Sequence, residues 1–198
     1  MSQEIQWDKG IPIRRYATQG GRYYGPIDMD TFHQFERPLK PSWTNLASVE
    51  ASPGLANWKQ QHGYWSDVIT SWATTKGTGA HNPVEDMING KEVTEKDILE
   101  ALEAQEDIKW KLMGSKWQML EEIKKCLVQF ILWYEEHQPT ILKSEIMLWH
   151  PDVPYAGTAD MIMKIHNKKQ NQDILMVGDL KTGNESDKHF VQCMAYAI

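Results

Sequence analysis

Gly157-Thr158-Ala159-Asp160-Met161-Ile162-Met163-Lys164-Ile165 and Ile174-Leu175-Met176-Val177-Gly178-Asp179-Leu180-Lys181 are apolar-rich runs separated by the polar stretch HNKKQNQD at 166–173. They read as two strands joined by a hairpin loop, and Ile141–Trp149 reads as a third strand before them. A turn at Thr182–Ser186 then leads to a helix beginning near Asp187. The segments upstream of this meander carry helical periodicity. Helices, then a β-meander, then a helix predict an α/β or α+β domain with helices packed on a central sheet.

Working outward, the clearest helical stripe is Trp117, Leu120, Ile123, Leu127, Phe130, Ile131 and Tyr134, on a helix over 115–137 that ends at His137-Gln138-Pro139. Thr94-Glu95-Lys96-Asp97 resembles a capping box ahead of a helix over 95–106. Ser52-Pro53 fits an N-cap followed by a first-turn proline, with the helix running towards Trp72 and Gly63 as its break. Lys76-Gly77-Thr78-Gly79 ends that stretch. Pro83 then predicts a separate short helix that starts near His81, carries Glu85 and stops near Asn89-Gly90. Residues 1–41 are polar and turn-rich, which predicts a loosely structured arm with a short hairpin at 12–24. The remainder, 42–198, reads as one domain with a helical N-terminal half. Ile198 falls inside the last predicted helix with no C-cap glycine or proline, so either the chain ends abruptly there or its last elements are missing.

At 198 residues with 41% hydrophobic and 24% charged residues, the chain suits one globular domain with a substantial core. No run approaches the ~18 consecutive apolar residues of a membrane span. The start, MSQEIQWDKG, lacks the basic and apolar regions of a secretory signal, so a cytoplasmic protein is expected. Cys126 and Cys193 lie far apart and read as inert thiols; two cysteines do not supply the four thiolates an iron–sulfur cluster normally uses. The formal charge of −6 weighs against simple nucleic-acid binding, although local field rather than net charge attracts a phosphate backbone. Nine tryptophans leave room for a few exposed rings to stack on unpaired bases.

Three acid-x-Lys triplets occur: Asp107-Ile108-Lys109, Glu122-Ile123-Lys124 and Asp179-Leu180-Lys181. The first two fall in segments read as helical, where positions i and i+2 point about 200° apart. Only Asp179 and Lys181 fall on a predicted strand, where both project from one face and Leu180 turns to the core. Asp160, reached after a glycine and two small residues, offers a second carboxylate on the adjacent strand. Two converging carboxylates repel unless a cation lies between them. The plainer alternative is a cross-strand ion pair between Asp160 and Lys181 on a solvated face.

Gly77-Thr78-Gly79-Ala80-His81, Glu145, Gly157-Thr158-Ala159-Asp160, Asp179-Leu180-Lys181-Thr182-Gly183 and Gln192-Cys193-Met194-Ala195-Tyr196 stand in the order of five motifs: GxxxH, a glutamate, GxxD, DxK-T and QxxxY. Over about residues 40–198 this order resembles RecB-like members of the PD-(D/E)xK nuclease superfamily. Ser42-Trp43-Thr44, with Pro53-Gly54-Leu55 and Trp58, is similar to the N-terminal part of phage-encoded exonucleases of that group. The resemblance implies a restriction-endonuclease-like core, a mixed central β-sheet flanked by helices, and Mg²⁺- or Mn²⁺-dependent cleavage of DNA. It implies Asp160, Asp179, His81 and the Leu180 carbonyl as metal ligands, with Glu85 as a further candidate. Lys181 would orient the attacking water, and Glu145 would sit at the mouth of the site. Gln192, Tyr196, Thr182, Ser42 and Thr44 would contact substrate. The literal Pro151-Asp152 pair lies in a proline-bounded turn, a poorer ligand platform than Asp160.

These readings converge on a metal-dependent deoxyribonuclease, with the RecB-like signature favouring an exonuclease acting on DNA ends or single strands in phage recombination, replication or processing. The alternatives are a structure-specific endonuclease and a non-catalytic DNA-binding or recombination accessory protein on a nuclease scaffold. No HExxH, GxSxG, P-loop or GxGxxG pattern supports another hydrolase or a dinucleotide enzyme. Oligomeric state is not encoded in any of these patterns.

Overall fold

The computed structural model describes residues 12–19, 21–36, 38–49, 53–183 and 187–197, and the fold is mixed α/β. In chain order the elements are β1 (Ile13–Thr18), β2 (Gly21–Pro26), α1 (Met29–Phe32), β3 (Lys40–Pro41), α2 (Trp43–Val49), α3 (Pro53–His62), α4 (Tyr64–Ile88), α5 (Glu95–Glu103), a 3₁₀ turn (Lys109–Leu112), α6 (Lys116–His137), β4 (Thr140–Trp149), β5 (Ala156–Asn167), β6 (Gln172–Gly178) and α7 (Asp187–Tyr196). No helix among the described residues is long and apolar enough to cross a membrane.

Two three-stranded sheets form, β1-β2-β3 and β4-β5-β6, and every ladder in them is antiparallel. This departs from the expected single mixed sheet. The cause is connection length: β4, β5 and β6 follow one another through short turns, which permit only antiparallel pairing, whereas a parallel neighbour needs a crossover of a dozen or more residues. One parallel bridge, Ser42 to Ala156, ties the end of β3 to the start of β5.

The meander matches the sequence reading except at its end. β6 stops at Gly178, so Asp179 and Lys181 lie just past the strand rather than within it. The helical half contains the larger correction. His81 does not open a short helix of its own: α4 runs unbroken from Tyr64 to Ile88, through Gly77, Gly79 and Pro83. Pro83 lacks the N–H that would bond back to residue 79, a defect that costs about 3 kcal/mol in a helix interior. Packing outweighs it, because Val68, Trp72, Thr75, Ala80, Val84 and Pro83 itself are all buried along this helix. Gly79 has its own reason to be small, since a Cβ there would stand 2.4 Å from Ile123 Cδ1 of α6. Gly63, by contrast, breaks the chain between α3 and α4 as expected, with φ 51°. The Ser52 cap lies outside the described residues.

α5 and α6 begin where their caps place them. Thr94 and Asp97 form a reciprocal capping box, and so do Ser115 and Gln118. On α6 the core stripe is Met119, Leu120, Ile123, Leu127 and Phe130, while Trp117, Ile131 and Tyr134 at the margins of the expected stripe are exposed. These α6 residues pack with Trp72 and Val84 of α4 and with Met161 and Met163 of β5. A second cluster joins Ile13 and Tyr24 of the first hairpin to Trp149 and Ala156. The hairpin expected at 12–24 therefore lies at Ile13–Pro26 and is packed onto the meander rather than free. Tyr24 is 1% exposed, and its hydroxyl lies 3.0 Å from Thr158 Oγ1 on β5.

Candidate metal centre

Four elements converge beside β5. Asp160 lies in β5, two residues beyond Thr158. His81 comes from α4, which crosses next to it, with Nδ1 3.6 Å from Asp160 Oδ2. Glu145 comes from β4: Ser144 pairs with Met161 and Ile146 with Ala159, so Glu145 falls opposite Asp160. One ligand atom from each of His81, Glu145 and Asp160 lies within 4.8 Å of the other two. Past β6, the Leu180 amide donates to Asp160 Oδ2 at 2.6 Å, which fixes the rotation of that carboxylate.

Glu145 reaches the group by register: Met147 pairs with Thr158 and Glu145 stands opposite Asp160, so it projects from the face that carries Thr158 and Asp160 in the cleft. Its backbone is strained there, with φ 47° in the left-handed region. A left-handed non-glycine residue costs roughly 1–2 kcal/mol. Glu145→Gly is therefore expected to leave the melting temperature unchanged or raised, because relief of strain offsets the added chain entropy of about 0.5–1 kcal/mol. The same variant removes one of the three candidate ligands, so calorimetric titration is expected to show weakened Mn²⁺ binding. A destabilised Glu145→Gly protein with wild-type metal affinity would refute the role assigned here.

Asp179 forms the second half of the site. Its side chain is 3% exposed and pairs with the Lys181 ammonium, while Gln192 Nε2 of α7 donates to its Oδ1 at 3.0 Å. Its buried Oδ2 meets Lys181 but receives no hydrogen bond of good geometry. The expected alternative, an ion pair between Asp160 and Lys181, is not the contact that forms; Lys181 pairs with Asp179. Leu180 packs its side chain against the larger core, as the strand phase predicts.

The charge balance favours a cation. Burial pushes the Glu145 carboxyl upward, and the negative charges of Asp160 and Glu85 add to the shift. Burial likewise raises the Asp160 carboxyl, and Asp179 adds to it, against the opposing pull of His81, the Leu180 amide and Lys181. The two carboxyls face each other and hold protons more tightly, chiefly because they are desolvated and secondarily because they repel. Glu85, one turn beyond His81 on α4, is near enough to act on Glu145 but does not line the cleft.

These residues form one end of a cleft of about 400 Å³ that also includes Ser42, Thr44, Gln192 and Tyr196. Tyr196 lies against β5, and a Cβ on Gly157 would stand 2.2 Å from its hydroxyl oxygen. That contact explains the glycine three residues before Asp160: it leaves space for the α7 tyrosine. Burial, with Tyr24 and Asp179 nearby, pushes the Tyr196 hydroxyl well upward, so it stays protonated. Thr182 sits outside the cleft lining, beside Gly77, whose Cβ would lie 3.7 Å from its Oγ1. Both cysteines are free, and burial raises both thiols, consistent with inert side chains.

Sequence reasoning did not single out Arg15, Arg22, Tyr24, Thr158 or Asn82, all of which line the cleft. The available signal was the period-two placement of Arg15 and Ala17 against Arg22 and Tyr24 in the hairpin. Searches against known proteins leave this geometry to speak for itself: no family model matches the chain, and neither a curated protein nor a solved structure does.

Proposed function

We propose that the protein is a divalent-metal-dependent phosphodiesterase acting on DNA, built on a restriction-endonuclease-like core of the RecB-like PD-(D/E)xK type. The observation that carries this reading is the convergence of His81, Glu145 and Asp160 beside the Asp179–Lys181 pair in one cleft. One imidazole with several carboxylate oxygens suits Mg²⁺ or Mn²⁺, the histidine tilting the balance to Mn²⁺. The site fits such an ion because Glu145 and Asp160 are partly desolvated and repel each other, and because the buried Asp179 Oδ2 is incompletely hydrogen-bonded. His81, Glu145, Asp160 and Asp179 would hold it, with the Leu180 carbonyl and Glu85 as further candidates. A bound divalent ion supplies Lewis acidity to a phosphoryl oxygen and lowers the pKa of a water.

The chain's own groups do the rest. Lys181, held by Asp179, presents an ammonium that orients a water and balances charge developing on the phosphate. Gln192 fixes Asp179 from the other side, so the lysine's anchor does not swing. The Leu180 amide keeps one Asp160 oxygen occupied and leaves the other oxygen for the ion. The motif order from His81 to Tyr196 supports an exonuclease of phage type, acting on ends or single strands.

End-labelled single- and double-stranded DNA incubated with Mg²⁺ or Mn²⁺ tests the proposal. Metal-dependent shortening from one end, read as a product ladder, is the expected result. A protein that leaves both substrates intact with either metal overturns it. Internal cuts in uncut circular DNA would replace the exonuclease assignment with an endonuclease.

A further inference from the structure

We infer that Arg15 and Arg22 form a two-phosphate subsite that holds a single DNA strand beside the metal ligands. This rests on the phosphodiesterase reading and adds what binds the substrate. The chain carries six more negative than positive charges, yet Arg15, Arg22 and Lys181 all line one cleft. Lys181 is committed to Asp179. The two arginines line the cleft from the first hairpin, which forms a wall of its own.

Their spacing follows from the hairpin register. Arg15 pairs with Tyr24 and Ala17 with Arg22, so Arg15 and Arg22 are diagonal neighbours on one face. Diagonal positions in an antiparallel pair lie about 7–8 Å apart. That is the reach between neighbouring phosphates of one extended strand. The guanidinium groups are suited to phosphate because each presents a planar fork of donors.

The wall is fixed relative to the metal ligands rather than hinged. Tyr24 contacts Thr158 at 3.0 Å, two residues before Asp160. Arg22 donates to Thr44 Oγ1 at 3.1 Å, and Ser42 Oγ lies 3.0 Å from that same oxygen. The Ser42 amide bonds back to the Arg22 carbonyl at 2.8 Å, while Ser42 bridges to Ala156 at the start of β5. Arg22 is therefore pre-oriented with two hydroxyls beside it, and Arg15 lies close enough to draw the Glu145 carboxyl downward against its other neighbours. A cleft of about 400 Å³ is too small for two paired strands side by side, so the strand that enters it does so unpaired.

Fluorescence anisotropy of a labelled single-stranded oligothymidine, titrated with KCl in EDTA so that no cleavage occurs, tests the subsite. The logarithm of affinity against the logarithm of salt should fall less steeply by about 0.7 for each arginine removed. Arg15→Gln and Arg22→Gln are each expected to weaken binding about tenfold, the scale of a lost charge-assisted contact. Arg22→Lys should restore the wild-type salt slope. Arg15 is exposed, so Arg15→Gln keeps the test valid if circular dichroism shows that Arg22→Gln perturbs the hairpin. Wild-type affinity and slope in Arg15→Gln, measured on protein that cleaves DNA with Mn²⁺, would refute the subsite and leave the enzymatic reading standing. Arginine-dependent binding by a protein that never cleaves would do the reverse. Equal affinity for a duplex of the same length, with the same arginine dependence, would refute the assignment to a single strand.

Discussion

Asp179→Asn is expected to lower metal-dependent DNA hydrolysis by about 10²- to 10⁴-fold, the scale of a lost positioned group in proton transfer and charge stabilisation. The substitution keeps the shape of the side chain, so Gln192 retains a partner at that position. What it removes is the charge that anchors the Lys181 ammonium, and with it one of the proposed ligands of the ion. Lys181→Met is expected to fall in the same range by a different route. It leaves the chain fold intact at a side chain 35% exposed, but strands a carboxylate that is 3% exposed. That variant should lose some stability, discounted because solvent reaches the lysine side of the pair. The two variants therefore separate by thermal melting while agreeing in rate. Either protein degrading DNA at the wild-type rate with Mg²⁺ or Mn²⁺ would exclude this lysine–aspartate pair from the chemistry.

Much of this site was legible because strand phase is a strong filter. Of three acid-x-Lys triplets, two fell in helical texture; Glu122-Ile123-Lys124 lies within α6, with Ile123 in the core, whereas Asp107-Ile108 lies in the loop between α5 and the 3₁₀ turn rather than in a helix. The remaining triplet behaves as alternation requires even though the ladder ends at Gly178, because Leu180 still points into the core while its neighbours pair with each other. The capping box at Thr94 is local chemistry and was readable as such, whereas the matching box at Ser115 and Gln118 was not singled out.

Other features depend on contacts that no local window contains. Gly77, Gly79 and Pro83 signal helix termination, but eight buried residues along α4 hold the helix through them. Glu145 looks like an edge charge on an alternating strand, and only the β4–β5 register, which no local window contains, sets it opposite Asp160. The arginine wall was hidden in turn-rich sequence. A two-stranded hairpin is marginal alone, and this one is held by Tyr24 reaching 134 residues along the chain to Thr158.

Adding Mn²⁺ to the metal-free protein is expected to raise its melting temperature by about 5–10 °C when the ion is at a hundredfold excess over its dissociation constant. Linkage gives about 2.7 kcal/mol at that ratio, and a domain near 200 residues shifts about 2–4 °C per kcal/mol. The carboxyls make the effect large, since the ion relieves a repulsion already present in the folded state. Asp160→Asn should invert the comparison. The Asp160 carboxyl is raised in the folded protein above its ordinary value, so its ionised form opposes folding once the pH exceeds that raised value. The opposition vanishes below the ordinary carboxylate range, where the group is protonated in both states. Without metal at neutral pH, Asp160→Asn should therefore melt at or above the wild type, with the gap closing in acid. With Mn²⁺ the order reverses, because the variant has lost a ligand and gains little from the ion. Differential scanning calorimetry with and without Mn²⁺ reads both arms. An equal Mn²⁺ shift in the two proteins would place the ion elsewhere and remove Asp160 from the metal site.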